Sequence, residues 1–186
     1  MSDFRVASRY AKSLIELADE QGVLEEVYND MKLFADVCRE NHDFVLMLKN
    51  PVIKGDKKKA ILKSVFEGKV HKLTLAIFDI MTRKKREAIL PQVANQFRQQ
   101  YKDLKQIGVA TVTTAVELTD ELRKEMKQMA GRISGKKSIE LKEIIDEDII
   151  GGYILKMGDQ QIDDSIRTKL NSLAKEVSSR HFIREI

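Results

Sequence analysis

Cysteine is almost missing from this sequence. Cys38 is the only one among 186 residues, so no disulfide forms within the chain and no cysteine-based metal site exists. Tryptophan is absent, and proline occurs only at Pro51 and Pro91, which suits a helix-rich chain with few irregular loops. The three histidines, His42, His71 and His181, stand far apart. None pairs at helical spacing with another zinc-type ligand, so no metal or other cofactor is expected. No run approaches the roughly 18 consecutive apolar residues of a membrane span. The opening MSDFRVASRY lacks an apolar signal core, and Asp3 argues against an organelle transit peptide, so the chain is read as an uncleaved cytoplasmic protein.

What is present is charge and hydrophobic periodicity. Hydrophobic residues make up 42% and charged residues 33%, enough apolar material for one large or two small cores. The net charge is +4, unevenly placed. Residues 1–105 hold 20 basic and 15 acidic residues, whereas residues 106–186 hold 13 and 14. The basic excess concentrates in KGDKKK, Lys54 to Lys59, and RKKR, Arg83 to Arg86.

The first part reads as six helices. Val6, Ala7, Tyr10, Ala11, Leu14, Leu17 and Ala18 follow the i, i+3, i+4 spacing of an amphipathic helix, with Ser2 or Asp3 as N-cap and Gly22 at its end. Val23, Val27, Met31, Phe34 and Val37 make a second. A short third, capped by Asn41, carries Phe44, Val45 and Leu48 and stops at Asn50-Pro51. The fourth covers Lys57 to Phe66 with Ile61, Leu62 and Val65 inward. The fifth runs from about Val70 to Lys85, and the sixth starts near Pro91 with Val93, Phe97 and Tyr101. Short connections between such helices imply a bundle.

After Tyr101 the period changes. VATVTTAV, Val109 to Val116, is β-branched and reads as a strand. Thr119 caps a helix with Leu122, Met126, Met129 and Ile133 inward, closed by Gly135. Ile139 and Leu141 mark a second strand, Asp146 to Asp148 a turn, and Ile149 to Met157 a third strand. Gly158-Asp159 turns, Gln161 to Asp163 is extended, and Ser165 caps a last helix with Ile166, Leu170, Leu173 and Val177 inward. The fold class is mainly α: a helical bundle followed by a small α/β unit.

Signals of catalysis fail on spacing. GRISGKKS, Gly131 to Ser138, sets its glycines one residue too close for a phosphate-binding loop, and Lys137 stands where Ser or Thr is needed. Asp146, Asp148 and Gly151 suggest a calcium loop, but Ile150 and Met157 occupy ligand positions. Asp159, Asp163 and Asp164 have no histidine, lysine or nucleophile beside them in sequence and read as turn and cap residues. Cys38 reads as a packing residue. The basic runs lack interleaved aromatics for base stacking, so they read as solvated faces, with nucleic-acid binding kept as the alternative. The first and fifth helices are apolar over wide arcs. Either they leave a groove for a partner helix or both are central helices of the bundle.

LKEIIDEDIIGGYILKMGDQQIDDSIRTKL, Leu141 to Leu170, closely resembles the signature of the F-type ATP synthase delta (oligomycin-sensitivity-conferring protein) family. RYAKSLIELA, NPVI, RKKREAILP and TVTTAVELT follow in the family's order, so the resemblance spans nearly the whole chain. Its signature residues here are Asp146, Gly151, Gly152, Gly158, Asp159, Asp163 and Ser165, with a structural role. The glycine pair interrupts a strand pattern and implies a bulge or a close backbone approach. Glu117, Glu147 and Asp164 replace residues frequent in the family, two prolines and a glycine.

The resemblance implies a non-catalytic stator subunit. A six-helix bundle over 1–105 would hold the N-terminal helix of an alpha subunit of the catalytic head, in a groove of Val6, Tyr10, Ser13 and Leu14 on the first helix with Ala76 and Ile80 on the fifth. An α/β domain over 106–186 would grip the C-terminal end of the b-subunit stalk. It further implies no cofactor, no direct nucleotide or nucleic acid, and membrane association only through the complex, at the cytoplasmic face of the bacterial inner membrane. The alternative is a free-standing basic nucleic-acid-binding protein.

Overall fold

Helical periodicity before residue 105 and strand patterning after it produce two compact units, Met1–Leu104 and Lys105–Ile186. A computed structural model describes residues 3–136 and 138–182. Ser2, offered as an N-cap, and Lys137 of the phosphate-loop comparison lie outside the described residues.

In the first unit the helices are α1 (Asp3–Glu20), α2 (Leu24–Glu40), α3 (His42–Lys49), α4 (Gly55–Phe66), α5 (Lys72–Arg83) and α6 (Leu90–Leu104), with a short 3-10 turn, Glu87–Ile89, before α6. Asp3 is already in the first turn of α1, where its charge suits the helix dipole. Asn41 does not cap α3 through its side chain. Its Nδ2 donates back to the Val37 carbonyl at 3.2 Å and closes α2 instead. The core is built by Ala7, Ala11, Leu14, Ala18, Val27, Met31, Val93, Ala94 and Phe97, where α1 and α2 pack on α6. Phe34, Phe66 and Phe78 meet at centroid distances of 4.9 and 5.5 Å and join α2, α4 and α5.

The inner face of α4 differs from the expected one. Ile61 is exposed and Val65 half-buried, while Lys58, Leu62 and Phe66 are buried. Lys58 is only 2% exposed, although KGDKKK reads as a solvated run. Its Nζ donates to the Leu48 carbonyl at 2.8 Å and to Glu87 Oε1 at 2.7 Å. A buried ammonium requires this kind of pairing, and Glu87 sits in a turn that helical periodicity could not reveal.

The second unit holds a four-stranded sheet of order β2-β1-β3-β4: β1 (Ile107–Thr114), β2 (Ser138–Ile145), β3 (Tyr153–Met157) and β4 (Gln160–Asp163). β1 and β2 are parallel, joined through α7 (Asp120–Ser134), and the other pairings are antiparallel. Thr119 caps α7 by accepting from the Leu122 amide, and Gly135 ends it in the left-handed region. α7 lays Met126 and Ala130 on Ala110, Val112 and Leu155, with Met129 and Ile133 partly buried alongside. Leu122 lies at the exposed end of this face. Arg123 fastens α7 to β2 by a two-pronged contact with Glu143, at 2.6 and 3.1 Å.

Two expectations are corrected here. The third strand starts at Tyr153, four residues after Ile149, because Asp146 caps a 3-10 turn over Glu147–Ile149 by accepting from the Asp148 amide. The last helix, α8 (Ile166–Phe182), does not point Ile166, Leu170, Leu173 and Val177 inward, and all four are exposed. One face of the sheet is already covered by α7, and α8 packs chiefly on the 3-10 turn.

Candidate functional site

Two apolar helix surfaces, one in each unit, stand out. On α1, Val6, Tyr10, Ser13 and Leu17 fall within an arc of about 60° on a 3.6-residue helix, adjacent to the core arc. Val6 and Tyr10 are half-buried, Ser13 is exposed, and Leu17 is 41% exposed. Across from them, α5 turns Leu73, Ala76 and Ile80 to one side while Ile77, Phe78 and Met81 enter the core. Ala76 is exposed and Ile80 is 44% exposed. α1 packs heavily on α6 and only lightly on α5, and Ser13, Leu17, Ala76 and Ile80 stay exposed. Arg86, just past α5, donates to the Tyr10 hydroxyl at 3.3 Å.

Leu14 does not belong to the open surface. It is 4% exposed and faces the core, because on the helix wheel it falls between Tyr10 and Ala7, about 20° from Ala7 and so inside the buried arc. Leu17 and Leu73 extend the edge and were missed, although Leu17 continues the spacing of Val6, Tyr10 and Ser13.

In the second unit the exposed stripe of α8 repeats at four, three and four residues, the a/d spacing of a helix seam. Its seat is the signature loop. Gly152 has φ +77, and a Cβ there would stand 2.3 Å from the Asp164 carbonyl oxygen. A Cβ on Gly151 would meet Ile166 Cδ1 at 2.8 Å. The Gly151 carbonyl accepts from the Ile166 amide at 3.0 Å, and the Tyr153 carbonyl from Asp164 at 3.0 Å. The glycines therefore admit a close backbone approach, as expected, but they precede the strand instead of interrupting it.

Asp163 and Ser165 complete the seat. Asp163 accepts from the Ser165 amide and the Thr168 hydroxyl at 3.0 and 2.9 Å, and Ser165 Oγ accepts from the Thr168 amide at 3.2 Å. These bonds, from Ser165 first and then Thr168, hold the Asp163 carboxyl below its ordinary range. Gly158 and Asp159 form the β3–β4 turn, both exposed, with Gly158 at φ +59. Asp164 is not in the left-handed region, so the absence of a glycine there costs no backbone strain. It pairs with Lys169 at 2.7 Å.

No group of three metal-ligating side chains assembles among the described residues. Burial raises the Cys38 thiol to about 11, the reverse of an activated nucleophile. No helix among the described residues is long and apolar enough to cross a membrane.

Comparison with known proteins gives this geometry its context. The model of the family described as ATP synthase delta (OSCP) subunit matches residues 6–177. The chain belongs to that family. It is 42% identical to ATP synthase subunit delta of Cytophaga hutchinsonii, over 97% of this chain and 98% of the relative. It is 32% identical to the chloroplastic ATP synthase delta chain of Chlamydomonas reinhardtii, over 93% of this chain and 80% of that one. A chain in the cryo-EM structure of the Toxoplasma gondii mitochondrial ATP synthase hexamer shares the fold, with a TM-score of 0.68 over 92% of this chain and 96% of that chain at 21% identity. A delta-family chain is a non-catalytic subunit of ATP synthase, and this membership decides against a free-standing nucleic-acid-binding protein.

Proposed function

We propose that this delta-family chain is a stator clamp: the helical unit holds the catalytic head, the α/β unit holds the peripheral stalk, and the subunit resists rotor torque. The observation that carries the reading is the pair of unfilled apolar helix surfaces, one in each compact unit. The α1–α5 edge suits the N-terminal helix of an alpha subunit. Ser13 and Ala76 are small enough for close approach, while Tyr10, Leu17 and Ile80 supply apolar area. The a/d stripe of α8 suits a stalk helix, the C-terminal end of the b subunit, because that spacing matches a helical partner. Neither surface needs a cofactor or nucleotide. Attachment to the membrane is then indirect, through the complex, at the cytoplasmic face of a bacterial inner membrane.

The test is to express residues 1–104 and 105–186 separately and measure circular dichroism and binding to the head and to a b-subunit fragment. The first piece is expected to fold and bind the head alone. The second is expected to bind the stalk and gain order from it. An unfolded first piece, or one that bound the stalk instead of the head, would overturn the reading.

A further inference from the structure

The sheet of the second unit ends on a long, regular strand. β2 is the outer strand of the order β2-β1-β3-β4, and its inner side follows β1 without a bulge from Ser138 to Ile145. Alternate residues of such a strand turn their N–H and C=O groups outward. Among the described residues no backbone hydrogen bond reaches that outer side. Strand edges are commonly blunted by proline, by bulges or by being short. β4, the opposite edge, has only four residues, whereas SIELKEII in β2 has eight and contains neither proline nor glycine.

What guards this edge is charge, and the charges match a copy of themselves. Leu141 pairs with Ala110, which lies under α7, so Ile139, Leu141 and Glu143 share the α7 face. Ser138, Glu140, Lys142 and Ile144 share the other face, and all four are exposed. A second β2 laid antiparallel about a two-fold axis at Leu141 sets Glu140 opposite Lys142 and Lys142 opposite Glu140. Leu141 then meets its own copy. With the axis normal to the sheet, α7 stays on one side in both copies and the two sheets become one. Moving the axis by one residue sets Glu140 against Glu140 or Lys142 against Lys142, and moving it to residue 143 sets Glu143 against itself. Like charges directly opposite are destabilising, so the strand favours the register centred on Leu141. Residues 106–186 hold 13 basic and 14 acidic residues, so two such units carry little net charge to repel one another.

We propose that β2 is a self-docking edge, on which a second copy of this chain adds its own β2 antiparallel, with Glu140 and Lys142 exchanged across the two-fold axis. Any extended segment could use the outward main-chain groups. The Glu-Leu-Lys triplet centred on Leu141 is what selects a copy of the same strand, because a two-fold contact must be complementary to itself. A single strand edge buries little surface, so the dimer is weak and reversible.

The experiment is sedimentation equilibrium of the full chain from low micromolar to several hundred micromolar, with Lys142→Glu and Glu140→Lys as variants. Both positions are exposed, so both variants should keep the wild-type circular dichroism spectrum. Wild type is expected to dimerise reversibly, and less so in high salt. Each variant sets like charges opposite one another at two places across the axis, and its self-association should weaken about tenfold or more. Mixed in equal amounts, the two variants are expected to associate again, because each supplies the charges that the other now needs. A wild-type chain that stayed monomeric at every concentration, single variants that dimerised like wild type, or a mixture no better than its components would each overturn the proposal. So would loss of the dimer in Leu173→Asp with Lys142→Glu unaffected, which would place self-association on α8.

Discussion

Arg86 Nη1 donates to the Tyr10 hydroxyl across 3.3 Å and ties the α5–α6 connection to the middle of α1. The contact gives the half-buried Tyr10, which lies between Val6 and Leu17 on this surface, a partner from beyond the end of α5. In the proposed clamp the edge's largest side chain is thus already held before a helix docks, which would lower the ordering cost of association.

Tyr10→Asp should weaken head binding with the bundle still folded. A charge on this edge must be desolvated without a partner when a helix docks, and a loss of about 2.8 kcal/mol corresponds to about a hundredfold in affinity. Leu14→Asp is the contrast: this residue is buried, so the same change should unfold the helical unit. Circular dichroism together with head titration separates the two outcomes.

The Lys58–Glu87 pair should be costly to break from one side. Lys58→Met leaves the Glu87 carboxylate without its ammonium partner, and Glu87 Oε2 already lacks a hydrogen bond in the structure. The expected loss is about 3–5 kcal/mol in urea unfolding, with Lys58→Met/Glu87→Leu recovering much of it because the charges leave together. Equal losses in the single and double variants would contradict a buried, mutually dependent pair.

Gly152→Ala and Gly158→Ala should differ. Both glycines have positive φ, but only at Gly152 does a Cβ collide with another backbone, at the Asp164 carbonyl. Gly158→Ala is expected to cost about 1–2 kcal/mol from backbone conformation alone. Gly152→Ala should cost clearly more and should reduce stalk binding, because the loop it sits in carries the start of α8. Unfolding midpoints of the two variants check this.

Acid should weaken the α/β unit through Asp163 and Glu143. Hydrogen bonds from Ser165 and Thr168 lower the first carboxyl, and the Arg123 side chain lowers the second. With folded values below the ordinary 3.8 and 4.5, their contributions are present above those values and are lost as pH falls through the depressed ones. A series of urea midpoints from neutral to acid pH should decline below about 4. That decline should be smaller in Asp163→Asn. An unchanged acid profile in this variant would contradict the assignment.

Much of this architecture was legible in the sequence, because periodicity reports which face of an element is apolar. Met126, Met129 and Ile133 under the sheet, Thr119 and Gly135 at the ends of α7, and Ser165 at the start of α8 all follow from local chemistry. Periodicity does not report whether an apolar face has anything to bury against. The stripe of α8 therefore read as core when it is exposed, and Leu14 read as groove when it is core. Lys58 was hidden inside a charged run because its partners, the Leu48 carbonyl and Glu87, come together only in three dimensions.

The most direct measurement compares Ile80→Asp and Leu173→Asp in the full chain, each titrated with the isolated catalytic head and with a b-subunit stalk fragment. Both side chains are substantially exposed, at 44% and 57%, so both variants should keep the wild-type circular dichroism spectrum. The expected result is reciprocal: Ile80→Asp loses the head and keeps the stalk, and Leu173→Asp loses the stalk and keeps the head. If either folded variant kept both partners, or if Ile80→Asp lost the stalk and kept the head, the two-surface clamp would be contradicted.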